Sequence, residues 1–199
     1  GMAAATYDAA AEGPVPLLVC VLAGNSVTAA AVLPCLNTGN ARHLRRLHPA
    51  VASIVAGVPW CNTDTPVVDD VRWRAGLPAA VGAKMAPSVE WNWLMSVPAA
   101  AVLGGLTHLD LRECGYVTDE LLLRLPPSLC VLNVRDCEGL TAAASFVHLT
   151  MLVSLDCSWT AVLSERTDGL PPSLQELCVV WARGLPDGVS LAHLRQLRV

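Results

Sequence analysis

The chain has 199 residues, of which 53% are hydrophobic and 15% are charged, and its formal net charge is −4. It is too apolar for a disordered chain, is long enough for one or two domains, and has no basic stripe that would bind a nucleic-acid backbone. Its eight cysteines include no C-x-x-C pair, which favours reduced thiols in an intracellular, cytoplasmic protein over a disulfide framework.

The N-terminal half shows mainly helical signals. Residues 1–14 are predicted to form a flexible tail. The apolar run 15–23 is too short to span a membrane, because Gly24-Asn25-Ser26 interrupts it. Helices are expected over the apolar run before Gly24, over residues 28–36 and over 42–56, the last because its apolar residues recur at helical spacing.

Weaker signals follow this helical stretch. Val71–Trp73 is predicted as a strand and residues 78–86 as a short helix, while residues 97–103 are expected to supply the return segment of an incomplete first repeat. Residues 15–100 as a whole are therefore interpreted as a mainly helical N-terminal cap, which would cover the apolar end of a repeat domain.

Residues 32–60, VLPCLNTGNARHLRRLHPAVASIVAGVPW, resemble an F-box in the rhythm of their apolar positions. In that family, this small helical motif docks on a Skp-type adaptor of a cullin-type ubiquitin ligase. The same residues would also suit a helical cap that buries its apolar face against the repeats. Exposure of Leu33 and Leu36 would favour docking, whereas their burial would favour the cap.

An internal repeat dominates the second half of the chain. The pattern L-x-x-L-x-[LVC] begins at Leu106, Leu129, Leu152, Leu174 and Leu194, with spacings of 23, 23, 22 and 20 residues. These spacings are typical of leucine-rich repeats, each of which contributes one short parallel strand. Side chains alternate across a strand. The residues predicted to point into the core are Leu109, Leu111, Leu132, Val134, Leu155, Cys157, Leu177 and Val179.

The segments between the strands carry helix signals. Thr118-Asp119-Glu120 is typical of a helix start, with an N-cap residue followed by acidic residues in the first turn. Pro126-Pro127 would end that helix, and Pro171-Pro172 would have the same effect two repeats later.

The segments LRECGYVTDELL and LNVRDCEGLT resemble cysteine-containing leucine-rich repeats, which are common in substrate-receptor subunits of ubiquitin ligases. RLPPSLCVLNV and LPPSLQELCVV resemble the shorter repeats of secreted bacterial effectors. Thr160 and Ala182 replace the cysteine of the first pattern. The resemblance implies an α/β fold, a right-handed leucine-rich-repeat solenoid over residues 101–199 with parallel strands on its concave face.

This fold favours a non-enzymatic protein-protein interaction module that binds a protein or peptide on the concave face. Residues of equal phase should form columns across the strands. The first column is His108, Val131, Ser154, Glu176 and Gln196; the second is Asp110, Asn133, Asp156, Cys178 and Arg198; the third is Arg112, Arg135, Ser158 and Val180. No cofactor, metal, nucleic acid or membrane is expected as a partner.

Two alternative functions remain. The first is an F-box-like substrate receptor, as described above. The second is a cysteine-dependent hydrolase, which would need a thiol of lowered pKa beside a histidine. Cys114, Cys137 and Cys157 are instead interpreted as buried packing residues, because free cysteine is among the most buried residue types.

The chain stops at Val199, in the strand of the fifth copy. An open repeat end exposes apolar side chains and unpaired backbone groups. The repeats are therefore expected to continue beyond Val199 in a longer protein, or to be covered there by a second molecule.

Overall fold

The computed structural model describes residues 33, 38–46, 49–61, 65–88, 103–163, 168–180, 191 and 196–198. Four short helices are present in this part of the chain: α1 (Thr38–Leu44), α2 (Pro49–Gly57), α3 (Asp70–Gly76) and α4 (Asp119–Leu122). The strands are β1 (Pro66–Val67), β2 (Gly82–Met85), β3 (His108–Asp110), β4 (Val131–Asn133), β5 (Ser154–Asp156), β6 (Glu176–Cys178) and β7 (Gln196–Arg198).

The strands form one seven-stranded sheet in the order β1 to β7, and every neighbouring pair is parallel. Each strand therefore lies beside the strand that precedes it in the chain, and the connecting segment returns to start the next turn. This is a parallel-sheet solenoid with few helices. The five strands predicted from the repeat are confirmed as β3 to β7.

The core follows the alternation of side chains along each strand. Leu109, Leu132, Leu155 and Leu177 occupy the central position of their strands and are at most 2% exposed. The second predicted inward position of each repeat is also buried, by Leu111, Val134, Cys157 and Val179. Full burial of a Leu or Val side chain contributes about 1.5–3 kcal/mol, so these stacked rows hold neighbouring repeats together.

Hydrogen bonds from the return segments add specific links between turns. The hydroxyl of Ser128 donates to the carbonyl of Leu106 at 2.8 Å, and that of Ser173 donates to Leu152 at 2.7 Å. Both serines follow a Pro-Pro pair. Each therefore satisfies a carbonyl of the preceding repeat, a role that the prediction of helix-ending prolines did not include.

The helix start at Thr118 is confirmed. The Thr118 side chain accepts a hydrogen bond from the backbone N–H of Leu121 at the N-terminus of α4. Asp119, the first residue of α4, also accepts hydrogen bonds from the backbone N–H and the hydroxyl of Thr141. The same residue pair thus starts one helical turn and ties it to the next repeat.

Two of the predicted N-terminal elements are wrong. Val71–Trp73 lies in α3, which begins because Asp69 caps it by accepting a hydrogen bond from the N–H of Arg72 at 2.9 Å. Residues 78–86 contain β2 rather than a helix. A Cβ on Gly82 would clash with the carbonyl of Cys61, so glycine permits the close backbone approach that places β2 in the sheet.

The parallel sheet thus starts at Pro66, inside the range predicted as a helical N-terminal region. The other regular elements described in that region are helices, but α1 and α2 replace the single helix predicted over 42–56. Pro49 is the first residue of α2, a position that suits proline because its missing N–H has no intrahelical partner there. The predicted tail 1–14, the helix before Gly24, the helix 28–36 and the segment 97–103 lie wholly or mostly outside the described residues.

The F-box-like segment has fully buried apolar side chains, whereas Leu44, Ile54 and Val58 are only partly buried against the same core. Leu33, Val51 and Val55 are 0% exposed and belong to the hydrophobic core. Trp60 is also buried, and its indole N–H donates to the carbonyl of Val55 at 2.9 Å. Leu36 lies outside the described residues. The burial of the others favours a covering role for this segment.

Candidate functional site

The first and second predicted columns are confirmed by strand register. His108 pairs with Val131, Val131 with Ser154, Ser154 with Glu176, and Glu176 with Gln196. The same strand pairs align the second column, Asp110, Asn133, Asp156, Cys178 and Arg198. Neighbouring members of a column therefore lie about 4.8 Å apart, one strand spacing.

The columns extend further towards the N-terminus than the repeat predicted. Gly82 pairs with His108, and Lys84 pairs with Asp110. Lys84 is the single lysine of the chain, and it is partly exposed beside the acidic start of the second column. The sequence analysis missed this position because it predicted a helix over the residues of β2. The small residues Gly82 and Ala83 give that strand no clear alternation of polar and apolar side chains.

Three members of the second column have a structural role at the ends of β3, β4 and β5. Oδ1 of Asp110 accepts a hydrogen bond from the N–H of Arg112 at 3.0 Å, and Oδ1 of Asn133 accepts one from Arg135 at 2.9 Å. Asp156 accepts the equivalent bond from Ser158 at 3.0 Å. A short polar side chain that binds its own backbone two residues on stabilises a turn, so these three residues shape the strand ends.

Two residues predicted at the solvent-facing surface are buried. Asp110 is 3% exposed because the guanidinium of Arg112 covers it, with Nε 2.8 Å and Nη2 2.6 Å from Oδ2. The hydrogen bond from this ion pair raises the pKa of Arg112. Ser158 is 1% exposed, because its side chain turns towards the next repeat instead of towards solvent. Both are therefore corrected from contact residues to structural residues.

The other column members that lie between His108 and Val180 stay at least partly accessible. Val131, Ser154 and Glu176 of the first column are partly exposed, as is Val180 of the third, and Arg135 is exposed. His108 begins the first column, with Nδ1 2.8 Å from the hydroxyl of Thr107. Its partial burial lowers the pKa of the imidazole. This surface therefore presents apolar, hydroxyl and charged side chains within a few strand spacings.

A row of left-handed residues follows the strands. Glu113, Asp136 and Trp159 have φ values of 61°, 56° and 61° at equivalent positions of three repeats. Their backbone N–H groups donate to the carbonyls of Arg135, Ser158 and Val180, respectively. The repeated hydrogen bond holds this strained conformation, and it projects the 47% exposed Trp159 beside the columns.

The buried cysteines lack the features of a catalytic nucleophile. Burial raises the pKa of Cys114 and Cys157, and it raises the pKa of Cys137 to about 12. The Cys137 thiol donates to the carbonyl of Leu111 at 3.1 Å. Thr160, which replaces the cysteine one repeat later, donates its hydroxyl to the carbonyl of Cys157 at 2.6 Å. These residues act as small, hydrogen-bonded core residues.

Within the described ranges, no group of three or more His, Cys, Asp or Glu side chains is arranged to hold a metal ion. None of the helices in the same ranges combines the length and the apolar character that crossing a membrane requires. No protein-family model matches the sequence, and no curated protein shows significant similarity to it.

Proposed function

We propose that this chain is a right-handed leucine-rich-repeat solenoid that binds a protein or peptide on the concave face of its sheet. In this proposal the protein is not an enzyme and needs neither cofactor nor metal. The supporting observation is the strand register, which aligns the first and second columns across β3 to β7. A surface of this type offers an extended partner several fixed contacts at once.

The chemistry of the columns supports a peptide of mixed polarity. Val131 and Val180 supply partly exposed apolar surface, whereas Glu176 and Arg135 supply opposite charges. Because Asp110, Asn133 and Asp156 already bind their own backbone, they fix the surface and contribute less to recognition. The binding energy would then come from a few apolar anchors, with charge pairs setting orientation.

The proposed contact residues differ from the residues that stabilise the strand ends. Binding can therefore be tested by substitutions that leave the fold intact. The tagged chain and its variants are used to capture proteins from an extract of the native cells, and each capture is quantified by mass spectrometry. Val131→Glu and Glu176→Arg should each deplete the same partner at least tenfold. Val147→Glu is the matched control, because Val147 is 46% exposed on the return segment between β4 and β5.

A partner retained by both sheet variants and lost with Val147→Glu would contradict the proposal, because it would place binding on the return segments. The melting temperature of each variant should stay within about 2 °C of the parent. This follows because substitutions at exposed positions usually change stability by less than about 0.5 kcal/mol.

The F-box-like alternative has less support. Adaptor docking requires a contiguous exposed apolar patch, but Leu33, Val51 and Val55 are fully buried. Recovery of a Skp-type adaptor together with a cullin in the same capture would nevertheless favour that alternative. The cytoplasmic setting is also part of the proposal, supported by the unpaired state of the six described cysteines.

A further inference from the structure

A groove lies between the C-terminal end of α1 and helix α3, on the helical side of the chain. Its volume is about 470 Å³, and it is lined by arginines from both elements. Arg42, Arg45 and Arg46 come from α1 and the turn that follows it, and Arg72 comes from α3. The sequence places three of these arginines together, but only the fold brings Arg72 opposite them.

Two contacts hold the walls of this groove in place. The N–H of Gly39 at the start of α1 donates to the hydroxyl of Thr65 at 3.0 Å, which ties α1 to the segment before β1. At the other end, the guanidinium of Arg45 occupies the space that a side chain at Gly76 would fill. The absence of a side chain at Gly76 thus lets Arg45 lie against α3.

Positive charge is in excess in the groove, because four arginines and one carboxylate line it in the described part of the chain. Asp69 is the one carboxylate among the described lining residues, and it is already engaged as the N-cap of α3. Between the four arginines and the other described residues, the structure records no ion pair. Arg74 on the same helix differs, because its guanidinium stacks on Trp73 at 4.7 Å and donates to the carbonyl of Ala80 at 2.9 Å. The guanidinium of Arg74 therefore stabilises the fold, whereas the guanidinium groups of the four groove arginines are available to bind an anionic partner.

We propose that this groove binds an acidic peptide segment of a partner protein. Guanidinium groups recognise carboxylate and phosphate oxygens through paired N–H donors, and four of them in one groove suit several carboxylates or a phosphorylated side chain. Val68, 56% exposed, also lines the groove, and Val71, 69% exposed, lies on the adjoining helix. These two valines provide contact surface for an apolar residue beside the acidic ones.

A peptide fits the charge distribution better than a nucleic acid does. The whole chain carries a net charge of −4, and Glu113, Asp136 and Glu138 line a separate shallow hollow at the strand ends. A long polyanion would be repelled by these regions, whereas a short acidic segment contacts the groove alone. This site is independent of the proposed sheet-face function, since it shares no residue with the three columns.

Binding is measured by fluorescence anisotropy with the full chain and three labelled ten-residue peptides. One peptide contains five glutamates and one leucine, one replaces a single glutamate with phosphoserine, and one replaces every glutamate with glutamine. The two acidic peptides should bind at least tenfold more tightly than the glutamine peptide. A further gain for the phosphorylated peptide would identify phosphate as the preferred anion, and equal binding would identify carboxylates.

Arg46→Gln and Arg72→Gln together should weaken the acidic peptides at least tenfold. Arg124→Gln, an exposed arginine paired with Glu120 at 3.2 Å, is the matched control and should leave binding unchanged. Gly76→Ala, which displaces the Arg45 guanidinium without changing the charge, should weaken binding severalfold, with circular dichroism used to verify the fold of each variant. Equal binding by the parent and the double variant would overturn the proposal. Preference for a duplex oligonucleotide over both acidic peptides would overturn it as well.

Discussion

The hydroxyl oxygen of Ser158 accepts a hydrogen bond from the backbone N–H of Val180 at 3.1 Å, across the boundary between two repeats. In the three preceding repeats, the equivalent N–H is accepted by Asp110, Asn133 or Asp156 of the same repeat. The fourth repeat carries Cys178 at that position, and a thiol sulfur is a weak acceptor. Ser158, in the preceding repeat, therefore supplies the hydrogen-bond acceptor that Cys178 does not supply within its own repeat.

Ser158→Ala should destabilise the protein by about 1–3 kcal/mol, because it leaves the N–H of Val180 without its acceptor in a partly buried site. Urea denaturation monitored by circular dichroism measures the change. Ser154→Ala is the matched control, since Ser154 is partly exposed and lies two residues after a buried core position. Adding Cys178→Asn to Ser158→Ala should restore part of the loss by returning the local acceptor; no recovery would contradict the replacement described above.

The left-handed backbone conformation at Glu113 predicts which residue types this position tolerates, independently of the contacts that the side chain makes. With φ at 61°, a β-branched residue is strained, whereas asparagine tolerates the conformation. Glu113→Val should cost about 1–2 kcal/mol, and Glu113→Asn should be neutral or slightly stabilising. Thermal melts provide the comparison. Glu138, an exposed glutamate outside the positive-φ positions, is the control, and an equal loss in Glu138→Val would show that strain is not the cause.

The buried thiols should be chemically inert in the native protein. Burial raises the pKa of Cys137 to about 12, so its reactive thiolate is scarce at pH 8. Iodoacetamide at pH 8, followed by peptide mass spectrometry, should modify the exposed Cys61. Cys114 and Cys137 should stay unmodified until urea unfolds the chain. Rapid native alkylation of Cys137 would contradict its buried role and reopen the hydrolase alternative.

The same thiol predicts a loss of stability at high pH. Its folded pKa of about 12 exceeds the ordinary value of 9.0, so the unfolded chain loses the proton first as pH rises. The stabilising contribution is therefore complete below pH 9 and declines between pH 9 and 12. Urea midpoints at pH 8 and pH 10.5 test this decline, and Cys137→Ala should show a smaller decline than the parent. An identical decline in both would assign the effect to other groups.

His148 predicts a loss of stability at low pH. Among the described residues neither of its ring nitrogens makes a hydrogen bond of good geometry, although the carbonyls of Leu122 and Leu125 lie nearby. Burial lowers the pKa of the imidazole, and the nearby carbonyls of Leu122 and Leu125 oppose this shift only in part. The unfolded chain therefore takes up the proton first as pH falls, so the contribution is complete above about pH 6.5 and is lost below it.

The melting temperature should therefore change little between pH 7.5 and pH 6.5 and should fall between pH 6.5 and pH 5.5. His148→Leu should flatten this fall and preserve stability at pH 7.5, because it removes both the titrating group and the unpaired nitrogens. Part of the fall should remain, since burial also lowers the pKa of His108. A slope in His148→Leu equal to that of the parent would show that this histidine does not contribute.

The repeat was readable from sequence because each copy repeats one physical requirement. An apolar residue at every second strand position, with leucine at the centre of each strand, and a spacing of 20–23 residues define both the strand and its neighbour. The alignment of His108 with Val131 and of Asp110 with Asn133 followed directly from that period. The F-box-like segment has no such period, and for this reason its split into α1 and α2 was not predicted.

The sequence predictions were wrong where the local sequence pattern was weak and contacts with distant segments decided the structure. Gly82-Ala83-Lys84-Met85 has no strong strand propensity, but pairing with β1 and β3 makes it a strand. The burial of Asp110 was equally hidden from sequence, because alternation placed it outward and only the geometry of Arg112 covers it. The alternation of side chains along a strand predicts the face of the sheet to which each side chain points. It does not predict which groups its polar atoms hydrogen-bond to.

The sequence alone therefore determined the solenoid, strands β3 to β7 and the first two columns, since these depend on a periodic burial of apolar side chains that one strand repeats in the next. The tertiary structure alone decided three further features. The sheet begins at Pro66, two strands before the first predicted one. Ser158 is buried, and its hydroxyl accepts a hydrogen bond from Val180. Arg72 lines the same groove as Arg45. These depend on contacts between segments that lie far apart in the chain, and local patterns carry no information about such contacts.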